Sequence, residues 1–248
     1  MRKLKIGTAL LILIVFIGGM YFCFFSPLGR MMTIQYRGFE EIDQKIYINK
    51  EYMYFKENIL EIISQAKERD REFWGELEND ATIIVCDDNN ELKGLGNPSS
   101  AITTTGVLNG KVFSYIVITP RYLTVDVVAH ELTHAELQHR LIKGKFIALS
   151  IGVPVWFNEG LALQNDYRER YSENTWKTVT QNGQNITDFS ALETTKEFYN
   201  SDKEVTKYNY IISKHEVEAW LNKNGKDKLT DTIKGVHEGK IFNELYNE

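Results

Sequence analysis

Residues 130–134 read His-Glu-Leu-Thr-His, inside an apolar stretch made by Val125, Val127, Val128, Ala129 and Leu132. That spacing predicts a buried amphipathic helix. Two imidazoles and a carboxylate are costly in such a place unless each has a partner. Residues four apart lie one turn apart on one helix face, so His130 and His134 converge and can grip a single ion. Glu131 projects to the side of the pair, where it can reach a water at the metal without displacing an imidazole, as a general base must. A third ligand then has to come to this face from elsewhere in the chain.

Closed structural zinc sites favour cysteine, and the chain has only Cys23 and Cys86, neither with a partner at metal-binding spacing. A site with three protein ligands and an open fourth position is the catalytic pattern. Zinc proteases with an extended histidine motif carry glycine three and histidine six residues beyond the second ligand. Here those positions are Leu137 and Arg140, so that class is excluded, and His139 points to another face and reads as a helix-end histidine. Glu159 is better placed. It lies in Trp156-Phe157-Asn158-Glu159-Gly160-Leu161-Ala162, where Pro154 opens a second predicted helix running through Leu163. Its carboxylate would face the first helix, and small Gly160 and Ala162 permit close approach. Asn158 and Asp166 are the candidates for supporting the ligands through hydrogen bonds, Asp166 also reading as a solvated helix-end residue.

Together the two motifs resemble those of the gluzincin zinc metallopeptidases, the thermolysin-like and zinc-aminopeptidase superfamily. The stretch 156–162 is especially similar to the aminopeptidase branch, and the resemblance covers residues 100–165. It implies one zinc ion on His130, His134 and Glu159, with Glu131 polarising the attacking water. It implies a small thermolysin-like zincin domain acting on a peptide or protein substrate. No Gly-x-Met-Glu-Asn-like segment is present to hold a substrate amino terminus. Cleavage at chain ends and in chain interiors therefore both stay open. The resembling families also carry a donor for the oxyanion formed at the attacked carbonyl. By that resemblance Tyr210 is the first candidate, Tyr208 the second and His215 the third; among 13 tyrosines, a packed core aromatic is the competing reading.

Residues 6–25 form an apolar run without a charge, after Arg2, Lys3 and Lys5. Roughly 20 apolar residues span a bilayer core as a helix. The run ends in bulky Tyr21, Phe22, Phe24 and Phe25 and lacks the small residues of a cleavage site, so the expectation is an uncleaved single-pass anchor in the lipid bilayer. The basic amino terminus predicts a cytoplasmic start and a catalytic domain on the far side, as in a bacterial cell membrane. Residues 1–27 would be the anchor, 28–49 a juxtamembrane connector and 50–248 the peptidase domain.

Net charge is −5, and no basic cluster follows the amino terminus, which argues against nucleic acid as a partner. A long amphipathic helix is expected from Lys50 to Glu76 and a buried strand from Ala81 to Cys86, ended by Asp87-Asp88-Asn89-Asn90. Gly94, Gly96, Asn97 and Pro98 read as a loop. Ala101–Thr105 and Lys111–Thr119 suggest two further strands, one of them the edge along which, by the resemblance, an extended peptide would lie. Helices follow: the two motif helices, a short one near Phe189–Phe198, one near Tyr208–Lys223, and a final one or two reaching Tyr246. Strands first and helices after is an α+β arrangement. Two competing classes remain: a zinc-binding but catalytically inactive receptor or adaptor, and a metal-free assembly factor. Retention of Glu131, which is not a ligand, speaks for the enzyme.

Overall fold

Helix α1 (Arg2–Phe25) and a short α2 (Pro27–Met32) lead into two antiparallel strands, β1 (Phe39–Asp43) and β2 (Ile46–Asn49). A 3-10 stretch at Lys50–Phe55 and α3 (Lys56–Trp74) carry the chain to β3 (Thr82–Val85), which pairs parallel to β2. Then come α4 (Asn89–Gly94) and the hairpin of β4 (Ala101–Leu108) and β5 (Lys111–Ile118). The remainder is helical: α5 (Val125–Ile142), α6 (Val155–Ala162), α7 (Glu173–Val179), α8 (Thr195–Phe198), α9 (Lys203–His237) and α10 (Phe242–Asn247). This computed structural model describes residues 2–87, 89–96, 98, 100–145 and 152–248, and gives only the backbone course of 2–10, 89, 90 and 108. Asp88 and Asn97, read from sequence as turn and loop residues, lie outside the described residues.

The fold is α+β with one mixed five-stranded sheet in the order β1-β2-β3-β5-β4. β2, β3 and β5 run parallel, and β4 turns back antiparallel along β5 to form one edge. The β4–β5 turn is Asn109-Gly110, both with positive φ (53° and 76°), the conformation that a two-residue hairpin requires and Asn-Gly supplies. Side chains alternate across a strand, so each central strand serves two cores. Ile83 and Val85 of β3 face Ile59, Ile63 and Ala66 of α3 and Val128, Leu132 and Ala135 of α5. Ile84 faces the other way, towards Met31, Leu92 and Leu95. A third core joins the end of α5 to α6, α9 and α10 through Phe157, Trp220 and Phe242. Removing a side chain the size of Phe157 from water contributes about 2–3 kcal/mol.

Four expectations change. The segment read as a connector, 28–49, contributes β1 and β2 to the sheet, turning at Lys45 with φ 59°. The helix expected from Lys50 is 3-10 for its first six residues. The helix expected at Tyr208–Lys223 starts earlier, capped by Asp202, and continues to His237 past a non-helical Gly225 (φ 78°, ψ 172°).

The fourth change is the expected transmembrane helix. Among the described residues no helix is long and apolar enough to cross a membrane. The run 6–25 does lie in α1, but the side chains of 6–10 are outside the described residues. Its last turn is also tied to charged groups: Arg37 Nη2 donates to the Cys23 carbonyl at 2.6 Å and Arg30 Nε to the Phe24 carbonyl at 2.8 Å. The expected bilayer anchor, and the single-pass membrane placement that rested on it, are corrected accordingly.

Candidate metal centre

α5 is anchored on both flanks before it offers any ligand. Thr124 caps it through its side chain, and Val128 and Ala129 seat it on the sheet. Thr133 points the other way, donating to Asp70 of α3 at 3.0 Å, while Asn165 donates to both Thr133 Oγ1 (2.8 Å) and Asp70 Oδ1 (3.1 Å). Asp70 is buried, and desolvation pushes its carboxyl up to about 7, against the hydrogen bonds of Thr133 and with the charge of Glu136. α6 reaches the same place by shape. A Cβ on Gly160 would lie 2.4 Å from the Ser213 carbonyl oxygen of α9, so only glycine lets the two backbones meet so closely.

The result is a triangle of donor atoms. His130 Nε2 and His134 Nε2 stand 3.1 Å apart, and Glu159 Oε2 lies 3.5 Å from the first and 3.4 Å from the second. All three residues are buried. Two imidazole lone pairs aimed at each other repel unless a proton or a cation lies between them. Glu159 Oε2 is buried, faces the pair and makes no hydrogen bond; His130 Nδ1 is also without one. The group His130–His134–Glu159 can hold a metal ion. Without one, burial disfavours charge on His134, but the carboxylates of Glu159 and Glu131 overturn this and push it up to about 9. Burial works in the opposite sense on Glu159, and the two imidazoles hold its carboxyl far below the usual range.

Around the triangle the support is uneven. Asn158 Oδ1 lies 2.9 Å from His134 Nδ1, which turns Nε2 of that ring towards the other donors when Nδ1 carries the proton. Asp166 does not do the same for His130. α6 stops at Ala162, a 3-10 turn at Leu163–Asn165 follows, and Asp166 Oδ2 ends 3.8 Å from His130 Nδ1. Arg168 takes both Asp166 oxygens instead, its Nε donating at 2.7 and 2.9 Å.

Glu131 lines the same cleft, about 380 Å³, with Tyr199 and Tyr210 opposite. Two partners there carry no sequence signature. Tyr199 donates to Glu159 Oε1 at 2.6 Å from just beyond α8, a single aromatic far along the chain. Thr103 donates to Glu131 Oε2 at 2.6 Å; the alternation of β4 marks its side of the strand but not its partner. Tyr210 Oη reaches Tyr199 Oη only at 3.5 Å. Burial, then the Glu159 charge, raises both phenols above their ordinary value, so both stay protonated donors. Tyr208 instead donates to the Asn185 carbonyl at 2.8 Å, and His215 stacks on Trp176. Neither lines the cleft. His139 is likewise apart from the metal group.

No family model matches the chain, and comparison with curated proteins gives no match either.

Proposed function

We propose that the protein is a zinc-dependent metallopeptidase of the gluzincin type, with His130, His134 and Glu159 holding the ion. The donor triangle carries this reading. Two nitrogens and one oxygen, with no thiolate, suit zinc better than the hard cations, which prefer all-oxygen sites. The edges of a zinc tetrahedron with bonds of 2.0–2.1 Å are about 3.3 Å. The donor separations of 3.1, 3.4 and 3.5 Å bracket that value. Three protein ligands leave a position open, as hydrolytic sites do. Bound there, zinc supplies Lewis-acid chemistry: it acidifies water and polarises a carbonyl.

The chain's own residues do the rest. Thr103 holds one oxygen of Glu131, which leaves the other to take the proton of the attacking water and return it to the departing amine. Tyr210 offers a protonated phenol to the oxyanion that forms as the water oxygen bonds to the carbonyl carbon, while the one hydroxyl proton of Tyr199 is given to Glu159 and orients that ligand. Tyr199, not Tyr210, is the phenol hydrogen-bonded to the ligand set. β4 is the sheet edge, and its residues Ala101–Thr103 line the cleft, so an extended peptide can pair with its backbone beside Glu131.

Glu131→Gln should retain one equivalent of zinc by elemental analysis and lower peptide hydrolysis by about a thousandfold or more. Glu159→Ala should lose zinc. Unchanged turnover in the first variant would sink the mechanism. A zinc-loaded wild type that cleaves no peptide would leave a metal-bearing binding module.

A further inference from the structure

The cleft does not stop at the metal ligands. Past His130 and Glu131 it opens into a lobe of about 560 Å³, into which two separate elements bring cations: Arg168 and Arg170 from the turn after α6, Lys203 and Lys207 from the first turns of α9. The charges do not cancel locally. Arg168 is paired with Asp166, and Lys207 with Glu204 at 3.5 Å. Arg170 rests on the Tyr171 ring at 4.7 Å, and neither it nor Lys203 has an ion-pair partner among the described residues. Glu131 and Glu204 are the lobe's only carboxylates among the described lining residues. Gln138 and Asn158, which line the metal cleft and not the lobe, are uncharged. A solvated charged face would come from one helix. Here two elements converge on one hollow in a chain whose net charge is −5.

We infer that the lobe formed by Arg170 and Lys203 is a substrate subsite that takes a carboxylate of the peptide, next to the bond being cut. This rests on the proposed peptidase reading and gives it a substrate class: acidic peptides. The carboxylate has two sources, an Asp or Glu side chain or the peptide's carboxyl terminus. Both meet the same cations.

The test uses the full chain loaded with zinc and four matched peptides: Glu or Gln at one position flanking the cleaved bond, each with a free or amidated carboxyl terminus. Binding is measured on the Glu131→Gln variant, which holds peptides without turning them over, and cleavage on the wild type. A carboxylate should tighten binding and raise kcat/KM by about tenfold at low salt. The preference should shrink as salt rises, because exposed charges are screened over about 10 Å at 0.1 M. In R170E/K203E the carboxylate preference should be lost, and a fifth peptide with Lys at that position should bind more tightly than the Gln peptide. A Glu effect assigns a side-chain subsite, and an effect of the free terminus assigns a carboxypeptidase-like one. Equal handling of all four peptides, or a preference that survives charge reversal, overturns the inference while leaving the peptidase reading intact. A preference in binding with no cleavage overturns the peptidase reading and leaves the subsite standing. Neither binding nor cleavage overturns both.

Discussion

α5 and α6 bring the donor atoms to the same point and are held there by different means. α5 adds a polar network to its apolar seat on the sheet: Asp70, Thr133 and Asn165 bond to one another on one side, and Thr103 reaches Glu131 on the other. α6 is held by shape, with Trp156 and Phe157 packed among Trp220, Phe242 and Tyr246, and Gly160 against the α9 backbone. The difference follows from what each must offer. α5 carries His130, Glu131 and His134 towards the cleft and packs Val128, Leu132 and Ala135 under the sheet, so hydrogen bonds at Thr133 and Glu131 are added to an apolar seat. α6 carries one ligand on eight residues and can commit nearly every other side chain to packing. Polar anchoring fixes rotation about the helix axis, and close packing fixes distance.

The contrast can be broken most directly at the steric end. Gly160→Ala places a methyl group 2.4 Å from the Ser213 oxygen, and overpacking against backbone should cost about 3 kcal/mol or more. Chemical denaturation reads the loss, and zinc affinity should fall with it. Unchanged stability would mean that α6 is not seated by shape.

At the polar end the expected effect depends on pH. Burial raises Asp70 from 3.8 to about 7, so the folded state binds its proton more tightly than the unfolded state does. A group raised in this way contributes stability below its unfolded pKa and loses it as pH rises through the folded value. Stability should therefore fall between pH 4 and 7, at most about 1.4 kcal/mol per unit. In Asp70→Asn this part of the slope should vanish while the hydrogen bonds from Thr133 and Asn165 persist. Thermal unfolding of both proteins at pH 5 and pH 8 measures it; parallel profiles would refute the raised pKa.

The smallest effects concern the two histidines of α5. Loss of a group that orients a ligand imidazole typically costs ten- to a hundredfold in metal affinity, about 1.4–2.8 kcal/mol. Asn158→Ala should do so through His134. Asp166→Ala should cost less than tenfold, because Asp166 stands 3.8 Å from His130 and is bound to Arg168. Equal losses in competition with a chelating dye would show that both imidazoles are supported alike.

These regions were also unequally legible in the sequence. The spacing of His130 and His134 is a helix period, and Glu159 follows a proline start and precedes a glycine, so local rules locate all three. Asp202 capping α9 is equally readable, yet the apolar stripe begins only near Tyr208, because the first turns are Lys- and Glu-rich. The β1–β2 hairpin turns at Gln44-Lys45 without Gly or Asn, and nothing in its composition marks a turn with positive φ. Tyr199 and Arg168 act by tertiary proximity alone. The apolar run 6–25 shows the reverse failure: hydropathy summed along a chain does not register that Arg30 and Arg37 fold back onto its end.

α9 holds the Lys203 cation, the Tyr210 phenol and the Ser213 carbonyl seat for Gly160 on one uninterrupted segment before Gly225 breaks it. If the proposed function holds, substrate choice, oxyanion donation and ligand placement share one mechanical element. A substitution that shifts this rod by a fraction of an ångström is felt in all three, and the segment beyond Gly225 is coupled to the same place through the core that Leu229, Ile233 and Val236 share with Phe157 and Leu161.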